Sequence, residues 1–152
     1  MAAAVEGLFA PQLRGRLKIH HTPHAMRGQP GSRHWLTLDG EIIWDFPTMF
    51  STERAAELPH IDPDHLVNLD WCWDTWSRDT PRMLGAYLDT PREELFEPIH
   101  GDHYGLGNIL RAADRRIGFG RVAFWAFTSL SNAPAARAVM GVRFAHLDRP
   151  QE

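Results

Sequence analysis

The sequence predicts an α+β fold, an N-terminal antiparallel sheet with a β-hairpin followed by a C-terminal helical layer. Three observations carry that expectation. Residue character alternates from Leu13 to His21, an Asp39-Gly40 dipeptide separates two runs rich in β-branched and aromatic residues, and apolar residues beyond Thr80 recur at amphipathic-helix spacing. The 152 residues and 17.3 kDa make a single domain, residues 1–152, large enough to fold without a metal or a disulfide.

In the first strand Leu13, Gly15, Leu17, Ile19 and His21 point to one side, and Arg14, Arg16, Lys18 and His20 to the other. The basic row reads as a solvated face or a charged edge that discourages strand addition. Pro23, Gly28, Pro30 and Gly31 make Thr22 to Ser32 an expected loop, and Pro59 and Pro63 do the same for Leu58 to Asp64. Asp39 and Gly40 suit a two-residue type I′ turn, whose register places Leu38 opposite Glu41, Leu36 opposite Ile43 and Trp35 opposite Trp44.

Thr80 is the expected cap of a helix with Pro81 at its first position and Met83, Leu84, Tyr87 and Leu88 as its apolar stripe. Thr90 and Glu93 have capping-box spacing for a short helix through Phe96, before Pro98. Leu106, Ile109, Leu110, Ala113 and Ile117 form a strong stripe ending at Gly118, with Arg111, Asp114, Arg115 and Arg116 on what reads as a solvated face. Arg121 to Leu130 is apolar almost all round, the pattern of a helix buried on several sides, and Asn132 is the expected cap of a last helix.

Bulk properties exclude several classes. A net charge of −3 and a pI near 6.3 weigh against a basic nucleic-acid or membrane-surface binder. Cys72 alone allows no internal disulfide and fits a reducing compartment. No apolar run approaches the length of a membrane span, and the N-terminus lacks a basic region before its short apolar stretch, so a cytoplasmic location without membrane partners is expected. Of 16 basic residues only Lys18 is lysine, a bias typical of a GC-rich bacterial genome.

The segments WLTLDGEIIWDFP, LDTPREELFE and GLGNILRAADRRIG resemble a family of small, uncharacterised bacterial cytosolic proteins, over roughly residues 31 to 144. Relatives of that type continue from the arginine pair into a basic helix, whereas here Gly118, Phe119 and Gly120 lead into an apolar one. Deeper burial or an oligomer interface would account for the difference. The resemblance implies an immunity partner of a secreted toxin, and no catalytic residue transfers with it.

Candidate chemistry is sparse. His20, His21 and His24, then His60 and His65 around Asp62 and Asp64, then His100, Asp102 and His103 offer metal-ligand types, but their spacing matches no standard metal signature. No metal or cofactor is therefore assigned. GDHYGLG is neither a P-loop nor a dinucleotide fingerprint, there is no nucleophile elbow, and Cys72 between Trp71 and Trp73 reads as a buried thiol.

Charge distribution is more informative. From Asp39 to Asp79 ten acidic residues face only Arg54 and Arg78, a local charge of −8, whereas Arg14 to Arg33 holds five basic residues and no acidic one. The acidic block contains NLDWCWDTW. Asp70, Trp71, Trp73, Asp74 and Trp76, with Glu41 and Asp45, are the expected partner-binding residues, since tryptophan is enriched in binding hot spots and acidic surroundings steer a basic partner. The leading expectation is a non-enzymatic protein-binding module of toxin-immunity type. The alternatives are a small metal-dependent hydrolase using the His and Asp clusters, and a homo-oligomeric structural module.

Overall fold

The computed structural model describes residues 1–26, 29–46, 73–99, 102, 105–129 and 133–148. The order of elements is α1 (Ala2–Glu6), β1 (Leu17–Met26), β2 (Gln29–Leu38), β3 (Glu41–Phe46), α2 (Trp73–Asp89), α3 (Leu106–Ala113), α4 (Phe119–Ser129) and α5 (Pro134–Phe144). Strands β1, β2 and β3 form an antiparallel meander, and helices follow it, so the expected α+β class holds.

Alternation begins at Leu17. The chain before it forms a 3-10 helix over Pro11–Leu13 and turns through Gly15, which has φ 73°. Leu17 and Ile19 lie opposite Leu38 and Leu36, and all four are buried on one face of the sheet. Within the expected loop from Thr22 to Ser32, residues 22–26 and 29–32 are instead paired strand, from Thr22 against Arg33 to Met26 against Gln29, and Arg27 and Gly28 lie outside the described residues. Pro23 is tolerated because β1 lies at the edge of the described sheet, and Pro30 lies beyond His34, where the pairing of β3 with β2 ends among the described residues.

The Asp39-Gly40 turn forms as expected, with φ of 52° and 88°, and Leu38 does face Glu41. The register then shifts. Ile42 lies opposite Thr37, but Trp44 lies opposite Leu36 and Asp45 opposite Trp35, so Trp35 and Trp44 are not a cross-strand pair. Ile43 is the extra residue of a bulge. It rotates Trp44 and Phe46 onto the core face, where they are 3% and 1% exposed.

Helix α2 begins well before Thr80 and continues through Pro81, whose missing N–H removes one helical hydrogen bond. Its stripe is as expected: Met83, Leu84 and Tyr87 are buried, and the helix packs across β2. No capping box forms at Thr90, whose hydroxyl donates instead to Ala86 O at 2.7 Å, and only a 3-10 turn over Arg92–Glu94 follows. Helix α3 buries Leu106, Ile109, Leu110 and Ala113 and packs against α5. It ends at Asp114, so the buried Ile117 lies beyond it, and Gly118 O accepts the Val122 N–H at the start of α4.

The N-terminal segment closes the helical side. Ala10 N–H donates to Ala113 O and Arg115 N–H to Leu8 O, both at 2.8 Å, while Glu6 accepts the Ile19 N–H at 2.7 Å. Val5, Phe9 and Leu13 are thereby buried against the core.

Helix α4 departs from expectation. Val122 is buried, and Trp125 and Ala126 partly so, but Phe124 and Phe127 are 74% and 92% exposed. The helix is anchored by one side only. No helix among the described residues is long and apolar enough to cross a membrane.

Candidate functional site

The expected partner-binding residues fall into two groups. Asp70 and Trp71, like Cys72, lie outside the described residues. Trp73, Asp74 and Trp76 stand in the first turn of α2, whose backbone places Trp73 and Trp76 three residues apart. Their side chains also lie outside the described set. Glu41 is exposed at the start of β3. Beside it Asp39 is held by Arg16 through two 2.7 Å hydrogen bonds, which keep the Asp39 carboxyl below its usual range.

Asp45 is different in kind. It is 5% exposed and takes two hydrogen bonds from Arg33, at 2.9 and 2.6 Å. That ion pair holds the Arg33 guanidinium above its ordinary pKa, and the same guanidinium lies 4.6 Å from the centre of the Trp35 ring. His20 stacks on Trp35 at 5.0 Å and 8° and shares a 2.7 Å hydrogen bond with Thr37. Asp45 thus closes a stacked set of side chains on one sheet face, and its charge is spent there.

His34 faces the other way. It is 4% exposed, its ring lies 4.7 Å from that of His21, and its Nδ1 has no hydrogen-bond partner among the described residues. Burial, reinforced by His21, lowers its pKa to about 4, so it is neutral at physiological pH. The side chains of His24, His60, His65, His100 and His103 lie outside the described residues. Among those described, no three His, Cys, Asp or Glu converge as a metal site.

The glycines before α3 have a structural use. Gly105 adopts φ 76°, and the Gly107 N–H donates to Asp102 at 2.9 Å. A Cβ on Gly107 would lie 2.0 Å from an Asp102 oxygen. The positive end of α3 is therefore occupied by the chain's own carboxylate.

Sequence reasoning missed a buried polar network behind that helix. Asp114, 1% exposed, accepts from the Tyr87 hydroxyl at 2.9 Å and from Arg116 at 2.7 Å, and Arg116 also donates to Thr90 O at 2.9 Å. Burial and the adjacent carboxylate push the Tyr87 pKa upward, so the phenol remains a donor. Arg111, 7% exposed, donates to the carbonyls of Leu95 and Glu97 at 2.6 and 2.9 Å. Arg143 donates to those of Ala112 and Ile117, and burial lowers its pKa. Each cation closes a carbonyl left open at a helix end or turn, which makes the network a clamp. Its one trace in the sequence is that Asp114 is flanked by Arg111 and Arg116 where the helical stripe runs out.

A cleft of about 250 Å³ opens beside this clamp, between Pro11, Arg115, Phe119, Phe144 and His146. Phe119 packs edge-on against Phe144 at 5.0 Å and 70°. Among the described residues, no carboxylate lines the cleft.

The description of the SF0329 protein family matches residues 1–144, nearly the whole chain, and the chain belongs to that family. No curated protein and no solved structure matches it.

Proposed function

With family membership as the premise, and no activity attached to it, we propose that this chain is a non-enzymatic protein-binding module whose partner presents a basic surface. The finer form of the proposal is an immunity protein acting in a bacterial cytoplasm against a toxin domain with a basic active-site surface. One observation carries it: the formal charge of −8 between Asp39 and Asp79, of which Asp39 and Asp45 are paired with Arg16 and Arg33 and the rest remains, with Trp71, Trp73 and Trp76 inside it. An acidic field of that size raises association rates with a cationic partner, and tryptophan supplies the apolar area that slows dissociation. The architecture supports the reading, because the buried stripe of Met83, Leu84 and Tyr87 fixes α2 on the sheet while Trp73, Asp74 and Trp76 occupy its opening turn.

The test is co-expression and co-purification with the products of adjacent genes. A toxin-like neighbour should be retained and its toxicity suppressed. Asp70→Lys combined with Asp74→Lys should weaken capture most at low salt. Retention of no neighbour, together with no protection, would sink the proposal.

A further inference from the structure

We propose that the cleft between the N-terminal segment, the turn at Arg115 and the end of α5 binds a small aromatic carboxylate, its rings against Phe119, Phe144 and Leu147 and its charge on Arg115. This site is separate from the acidic region and does not rest on it. Its walls are fixed before any ligand arrives. Ala10 N–H donates to Ala113 O and Arg115 N–H to Leu8 O, both at 2.8 Å, so the backbone beside the cleft is paired. Arg143 donates to the carbonyls of Ala112 and Ile117 and so ties down the end of α5. A preformed concavity spares the ligand the cost of ordering the chain around it.

The lining carries positive charge without a counterion. Arg143 is 5% exposed, its hydrogen bonds run to carbonyls rather than to a carboxylate, and burial lowers its pKa. A cation enclosed in that way gains from an anion brought beside it. Arg111 and Arg116 have their acceptors, whereas the exposed Arg115 side chain has no hydrogen bond or ion pair among the described residues. Its planar fork can take a carboxylate through two parallel N–H bonds.

The rest of the lining sets the body of the ligand. Phe119 and Leu147 are 52% and 50% exposed although they border a concave site, and Phe119 meets Phe144 edge-on. Flat rings cover such walls with little loss of conformational freedom. The volume of about 250 Å³ lies under the range of about 300–1,000 Å³ that holds drug-sized ligands, so one or two rings fill it. An inorganic anion would leave Phe119 and Leu147 wet, a neutral arene would leave Arg115 and Arg143 without a countercharge, and a cation would be repelled by both. An aromatic carboxylate answers the apolar walls and the charge together.

Titration of the full chain with 2-naphthoate, followed by the backbone amide resonances in NMR, tests this. Binding should saturate with a Kd below about 1 mM and shift the amides of Arg115, Phe119, Phe144 and His146. The uncharged 2-naphthamide and inorganic phosphate should each bind about tenfold more weakly or worse, and Arg115→Gln should weaken 2-naphthoate by about the same factor while leaving the rest of the amide spectrum in place. Failure to saturate by about 10 mM overturns the proposal. So does equal binding of 2-naphthamide or phosphate, full affinity in Arg115→Gln, or a set of shifts centred elsewhere. Binding that develops only after residues 149–152 are removed overturns it in favour of that segment as the occupant.

Discussion

Helices α3 and α4 invert each other's sequence patterns. Helix α3 carries a charged side that reads as solvated, yet Arg111 and the following Asp114 are 7% and 1% exposed. Helix α4 is apolar nearly all round, yet Phe124 and Phe127 stand in solvent. The difference lies in what reaches each helix. The 92–99 segment brings the Leu95 and Glu97 carbonyls to Arg111, α5 brings Arg143 to the carbonyls of Ala112 and Ile117, and the N-terminal segment bonds Ala113 and Arg115. Helix α4 contributes only Val122 to the fully buried core. Burial is thus set by neighbours, and a charged side chain can be enclosed when hydrogen-bond partners are enclosed with it.

Removing a charge from the α3 clamp tests this most severely. Asp114→Ala leaves Arg116 and the Tyr87 hydroxyl without their acceptor and should cost about 3 to 5 kcal/mol in urea unfolding. Tyr87→Phe should cost less, about 1 kcal/mol.

His34 is the counterexample, a buried polar group whose Nδ1 has no partner among the described residues. Its pKa is near 6.5 unfolded and about 4 folded, so the unfolded chain binds more protons between those values. Stability should therefore be complete above pH 6.5 and fall toward pH 4, by on the order of 2 to 3 kcal/mol. His34→Phe should flatten that part of the pH profile. A slope unchanged by the substitution would assign the acid loss to other groups.

At the start of α3 the fit is steric. Gly107→Ala forces a Cβ against the Asp102 carboxylate and should destabilise by about 2 kcal/mol. In the Asp102→Ala background the same change should cost markedly less, a coupling that a double-mutant cycle reads directly.

The smallest effect belongs to α4. Phe127→Ser should change the stability of the dilute monomer by no more than about 0.5 kcal/mol, whereas Val122→Ala on the opposite side of the same helix should cost about 2 kcal/mol. Equal costs at the two positions would show that the outer face is covered within the monomer.

Much of the fold was legible locally. The Asp39-Gly40 turn follows from backbone sterics, and the stripes of Met83, Leu84 and Tyr87 and of Leu106, Ile109 and Leu110 follow from helical geometry. Pro23 and Pro30 misled because a proline breaks a strand only where its missing N–H is needed, and edge position is not a local property. The bulge at Ile43 was hidden for a similar reason: strict alternation pairs Trp35 with Trp44, and only the demand for Trp44 and Phe46 in the core shifts the register. Of the expected partner-binding residues, Glu41 is exposed as a free surface charge requires, while Asp45 is committed to Arg33, a pairing across two strands that spacing along the chain does not reveal.

By itself the sequence determined the α+β class, the hairpin turn, the buried stripes of α2 and α3 and the segregation of charge, because each depends on residues near one another in the chain. Tertiary structure alone decided that Arg111, Asp114 and Arg143 are enclosed while Phe124 and Phe127 are not. Solvent exclusion and hydrogen-bond completion depend on which distant segments arrive, and no periodicity within a single helix records their arrival.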